Sequence, residues 1–125
     1  MHSRLLLQLG AILAMFSVIF GAFGAHIIKD VVTADRFSTY QTAVEYQFWH
    51  ALGLLAVALA GGRMEKGRWY LAGLLLFIGT LIFSGSLYLL VFTGISWLGA
   101  VTPIGGTLMI IGWALFAWSL RHFKK

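Results

Sequence analysis

WYLAGLLLFIGTLIFSGSLYLLVFT, from Trp69 to Thr93, runs without a single charged side chain. About 18 to 20 consecutive apolar residues are enough to cross a hydrocarbon core as a helix. This stretch therefore reads as a membrane span, and Gly94 behind it is a natural helix stop. Working outward, three more apolar stretches lie at about 5–25, 42–62 and 103–120. Of the 125 residues, 60% are hydrophobic and only 10% are charged. A water-soluble chain of this size could not cover such a core with so little polar surface. The expected fold class is all-α: an integral membrane four-helix bundle forming one domain over residues 1–125.

The span boundaries carry local signals. Thr42-Ala43-Val44-Glu45 fits a capping box, in which the Thr and Glu side chains satisfy free backbone donors at a helix start. Thr102 suits an N-cap before Pro103, the only proline, at the first helical position. From Pro103 to Leu120 a helix would be roughly 27 Å long at 1.5 Å per residue. Between spans one and two, residues 27–41 mix Lys29, Asp30, Asp35 and Arg36 with Ile27, Ile28, Val31, Val32, Phe37 and Tyr40. That mixture predicts a short interfacial helix, with an ordinary external loop as the alternative. The first span is longer than a signal-peptide core, so it reads as retained rather than cleaved.

Arg4, Arg63, Lys66, Arg68, Arg121, Lys124 and Lys125 fall on one side of a four-span chain, whereas Lys29 and Arg36 fall on the other beside Asp30 and Asp35. The positive-inside rule then places both termini in the cytoplasm. The net charge of +5 is thus a matter of topology, and no nucleic-acid partner is implied. With no cysteine, disulfides, thiol redox chemistry and cysteine metal sites are excluded.

Helices in lipid associate by close backbone approach, because hydrocarbon is as apolar as leucine. Gly10, Ala14, Ser17, Gly21 and Ala25 recur on one face of span one, and Gly105 and Gly112 share a face of span four. They are read as packing residues. Intramembrane polar residues are candidates for function. Here they form a small outer cluster: His26, Glu45, Gln47 and His50. Gln47 shares a face of its helix with His50, while Glu45 projects about 140° away at 100° per residue. The cluster could bind a proton, a metal ion, a lipid headgroup or a haem. The alternative is structural: Glu45 caps a helix, His50 bonds to a neighbouring helix and His26 reaches to the interface. No cofactor or metal is assigned. Ser84 and Tyr88 share a face of span three, but no base or oxyanion pocket accompanies the serine.

Gly21-Ala22-Phe23-Gly24-Ala25-His26, the run Thr42-Ala43-Val44-Glu45-Tyr46-Gln47-Phe48-Trp49-His50, Phe83-Ser84-Gly85-Ser86-Leu87-Tyr88 and Leu98-Gly99-Ala100-Val101-Thr102-Pro103-Ile104-Gly105-Gly106 occur in this order. Together, and over essentially the full chain, they closely resemble a family of small bacterial membrane proteins of unknown function, the YgdD/YwdK-like proteins, with an animal transmembrane relative. The resemblance implies a four-helix inner-membrane protein and no particular activity. The expectation is a non-enzymatic component of the bilayer that binds a partner, either a second copy of itself or a larger membrane complex. The alternatives are an oligomeric small channel or transporter, and a lipid- or cofactor-binding protein using the outer polar cluster.

Overall fold

The computed structural model describes residues 2–64 and 68–124. Among these residues, four helical stretches are long and apolar enough to cross a membrane: His2–Val31, Ala34–Gly61, Trp69–Thr93 and Leu98–His122. The first consists of α1 (His2–Val18), a π-helical segment (Ile19–Gly24) and α2 (Ala25–Val31). Then follow α3 (Ala34–Gly61), α4 (Trp69–Thr93) and α5 (Leu98–Ser119), which ends in a 3-10 turn at Leu120–His122. The chain is an all-helical membrane protein.

Helix α3 starts earlier than Thr42. Thr33 is its N-cap, accepting from the Arg36 amide at 3.2 Å, with Asp35 in the first turn where a negative charge complements the helix dipole. Thr42 lies two turns inside, and its hydroxyl donates to the Ser38 carbonyl at 3.1 Å, as Thr39 donates to Asp35. Such back-bonding lets polar residues sit within a helix. The capping box at Thr42–Glu45 is therefore not formed. The segment between spans one and two is divided: Ala25–Val31 is the short helix α2, Val32 and Thr33 are extended, and the rest opens α3.

Helix α5 likewise begins before Pro103, at Leu98. Its start is carried by the tight turns Leu98 to Ile95, Gly99 to Ser96 and Ala100 to Trp97. Thr102 is not the cap. Its hydroxyl reaches back to the Leu98 carbonyl and across to Ser86 Oγ at 2.5 Å, joining α5 to α4. Gly94 closes α4 in the left-handed conformation, φ 71°, with its N–H on the Leu90 carbonyl.

The helices pack in series, α1 on α3, α3 on α4 and α4 on α5. Leu6, Leu13, Ala51, Leu54, Leu76 and Met109 form the centre of the core. Close approach depends on glycine at particular points. A Cβ at Gly10 would stand 2.9 Å from the Ala51 carbonyl oxygen, and one at Gly105 would strike the Phe83 amide and sit 2.6 Å from the Gly79 oxygen. A Cβ at Gly112 would meet Leu76 at 2.9 Å, whereas at Gly21 it would meet only the Val44 side chain, at 3.2 Å. Outside this core, Phe23, Leu59, Trp97 and Ile110 are each more than 60% exposed. Apolar surface of this extent suits hydrocarbon and not water.

One end of the molecule collects the cationic segments. His2 stacks on Tyr70 at 4.2 Å, the Arg68 amide donates to Ser119 Oγ at 3.1 Å, and the Lys124 amide donates to the Arg63 carbonyl at 3.0 Å. Lys66 and Lys125, also part of the charge pattern, lie outside the described residues.

Candidate functional site

Gln47 is buried, 4% exposed, at the junction of three helices. Its Nε2 donates to the Leu13 carbonyl on α1 at 3.0 Å, and its Oε1 accepts from the Tyr88 hydroxyl on α4 at 2.6 Å. Ser17 donates to the same Leu13 carbonyl at 2.8 Å. One turn away, Ser84 Oγ on α4 donates to the Ala43 carbonyl on α3 at 2.7 Å. A polar side chain in lipid must find a partner within the protein, and here the partners lie on neighbouring helices.

His50 serves another junction. Its Nδ1 is 2.8 Å from the Tyr46 carbonyl, and its Nε2 is 3.0 Å from the indole nitrogen of Trp113 on α5. A carbonyl only accepts and an indole N–H only donates. The two partners therefore assign the neutral imidazole with its proton on Nδ1. The ring lies between Tyr46, stacked at 6.2 Å, and Trp113, edge-on at 5.8 Å.

The four polar residues do not converge. His26 on α2 and Glu45 on α3 are both exposed, and their side chains make no hydrogen bond to the described residues. Glu45 borders a recess of about 190 Å³ with Gly21, Ala25, Tyr40 and Gln41, between the first helical stretch and α3. Gln47 points toward α1 and α4, and His50 toward α5. Among the described residues no group of three His, Cys, Asp or Glu could hold a metal ion.

Two features beside this cluster come from residues the polar pattern did not include. The first is Tyr40, whose hydroxyl donates to the Phe20 carbonyl at 2.6 Å inside the π-helical segment. A Cβ on Gly24 would collide with that hydroxyl at 2.5 Å, so the glycine-rich turn admits the phenol. The second is Trp113. A tryptophan in mid-span, away from the interfacial belt, needs a partner for its N–H, and that was the available signal.

A lateral cleft of about 310 Å³ opens where α1, α3 and α4 meet. Its walls include Leu13, Phe16, Phe20 and Leu81, and Gln47 and Tyr88 are among the few polar groups in its lining. Gly85 borders it, with nothing within 4 Å of the point where a Cβ would stand. Tyr88 is braced there by Phe20 and Tyr40, with ring centroids 5.3 and 5.7 Å away.

A family model described as a protein of unknown function, DUF423, matches residues 20–106. The chain belongs to the DUF423 family. It is 47% identical over 121 residues to a UPF0382 membrane protein of Staphylococcus epidermidis, covering 96% of this chain and 98% of the relative. To the UPF0382 membrane protein YwdK of Bacillus subtilis it is 42% identical over 113 residues, 90% of this chain and 92% of that one. To the UPF0382 inner membrane protein YgdD of Escherichia coli K12 it is 39% identical over 125 residues, all of this chain and 95% of the relative. No solved structure matches. The DUF423 match takes in Gln47, His50 and Tyr88 but ends before Trp113, so the α3–α5 bond joins the matched segment to a residue beyond it. The relatives' names give a membrane location and no activity.

Proposed function

We propose that this protein is a non-enzymatic component of the inner membrane, with both termini cytoplasmic, that works by binding within the plane of the bilayer. The occupant of its binding surface is the apolar chain of a membrane amphiphile, held in the cleft between α1, α3 and α4. The observation carrying this reading is the cleft itself, about 310 Å³, walled by Leu13, Phe16, Phe20 and Leu81. Ligand sites are typically apolar concavities with a few placed polar groups. Gln47 and Tyr88 supply those groups. Beyond its bonds to Leu13 and Tyr88, the Gln47 amide keeps a further N–H and a further oxygen lone pair.

Two further observations favour binding over chemistry. Both ring nitrogens of His50 are engaged, by Tyr46 and Trp113, which leaves no imidazole nitrogen for a general base. Ser84 spends its hydroxyl proton on the Ala43 carbonyl. The cationic end supports the cytoplasmic placement of the termini.

Photo-cross-linking tests the reading. A lipid carrying a diazirine on its acyl chain should label Phe16, Phe20 and Leu81 in membranes ahead of the more exposed apolar residues Leu59 and Ile110. Labelling that follows exposure alone would count against a binding cleft.

A further inference from the structure

We infer that a pocket at the cationic end, between the start of α4 and the end of α5, is a binding site for a phosphate group. The cavity measures about 340 Å³ and is lined by Arg68, Trp118, Ser119, Arg121 and His122. It is separate from the lateral cleft and shares none of its residues.

Its construction is specific. Arg121 lies with its guanidinium 4.0 Å from the centroid of the Trp118 ring, a cation–π contact that holds the planar group in place. Its Nε donates to His122 Nε2 at 3.2 Å. That bond makes His122 Nε2 an acceptor and leaves Nδ1–H as a donor, and it leaves the two terminal nitrogens of Arg121 for a ligand. Arg68 contributes a second guanidinium. Neither arginine has a carboxylate partner among the described residues.

The pocket walls are tied together. The Arg68 amide donates to Ser119 Oγ, and Ser119 is 1% exposed. Met64 pairs with Phe123, and the Lys124 amide donates to the Arg63 carbonyl, so the end of α3 and the chain after α5 are held side by side. Arg68 also precedes the first turn of α4, a 25-residue helix with neither an acidic residue there nor a side-chain cap. Helix N-termini favour anions. Two arginine forks and an imidazole N–H match the oxygens of a phosphate. Trp118, 65% exposed, is placed to mark the level of the lipid headgroups. Basic pockets between helices on the cytoplasmic side are suited to anionic headgroups.

The ligand chemistry is a phosphate with no compensating cation beside it, either the ester of an anionic headgroup or the free ion, and one set of measurements distinguishes the sources. Purified full-length protein in mild detergent is examined by native mass spectrometry with phosphatidylglycerol or phosphatidylcholine. Its melting midpoint is measured in parallel in phosphate and in chloride at equal ionic strength. Preferential retention of phosphatidylglycerol identifies a lipid headgroup, and a melting shift in phosphate alone identifies the free ion. Arg121→Gln should weaken the effect about fivefold, and Arg68→Gln with Arg121→Gln about 25-fold, at about a factor of five per cation. Arg4→Gln, which removes an equal charge outside the pocket, should change little. If the double variant melts early, Arg121→Lys, which keeps the charge and loses the planar stacking fork, should bind at an intermediate level. Equal retention of both lipids with no phosphate shift would overturn the inference. So would an Arg4→Gln loss as large as that of Arg121→Gln.

Discussion

The indole N–H of Trp113 on α5 points at Nε2 of His50 on α3, 3.0 Å away, and ties these two helices together by a hydrogen bond. Breaking it from the tryptophan side, with Trp113→Phe, leaves Nε2 without a donor in an apolar setting. The expected loss is about 1–3 kcal/mol. A double-mutant cycle with His50→Ala, read by unfolding in detergent, should return a coupling energy of roughly 1 kcal/mol. Additive effects would show that the two side chains act independently.

Gln47 bridges α1 and α4, so its loss should cost more than the loss of either partner. Gln47→Leu strands the Tyr88 hydroxyl and removes a donor from the Leu13 carbonyl, and should destabilise by about 1–3 kcal/mol. Tyr88→Phe removes only one donor, while Gln47 keeps its bond to Leu13. It takes the Tyr88 donor from Gln47 Oε1 but spares the bond to α1, and should cost about 1 kcal/mol, less than Gln47→Leu. Denaturation of both variants in the same detergent gives the comparison, and a larger loss for Tyr88→Phe would be the wrong order.

The glycines should differ according to what their Cβ would meet. Gly105→Ala drives a methyl group into the Phe83 and Gly79 backbones, where neither helix can yield without moving apart. It should lower the melting midpoint sharply or abolish folded protein. Gly21→Ala meets one valine methyl group at 3.2 Å and should be tolerated. Parallel melting curves decide between this ranking and a uniform effect.

Glu45→Gln and His26→Gln should each leave stability within about 0.5 kcal/mol of the parent, the usual range for surface positions. Both side chains are exposed without a hydrogen-bond partner among the described residues. A large loss for Glu45→Gln would reveal a partner for the carboxyl group.

The four apolar helices and the stop at Gly94 were legible because span length and left-handed glycine geometry are properties of local sequence. The starts of α3 and α5 were not. Thr42 and Thr102 carry the composition of N-caps, but each satisfies its hydroxyl on a carbonyl one turn back, leaving the helix free to continue. For the polar cluster, helical spacing put Gln47 and His50 on one face of α3, yet their side chains turn to different neighbouring helices. Their separation into two junctions depends on Leu13, Tyr88 and Trp113, which are distant in sequence. The π-helical turn that exposes the Phe20 carbonyl to Tyr40 has no periodic signature to detect.

Filling the lateral cleft tests the proposed lipid binding most sharply. Gly85 has open space where a side chain would project, so Gly85→Leu should occupy the cleft without disturbing the helix interfaces. The measurement is photo-labelling by an acyl-chain diazirine lipid, paired with the melting midpoint of the same preparation. Labelling of Phe16 and Phe20 should fall at least severalfold while the melting midpoint stays unchanged. Undiminished labelling of both phenylalanines in a normally folded Gly85→Leu protein would contradict a lipid-binding cleft.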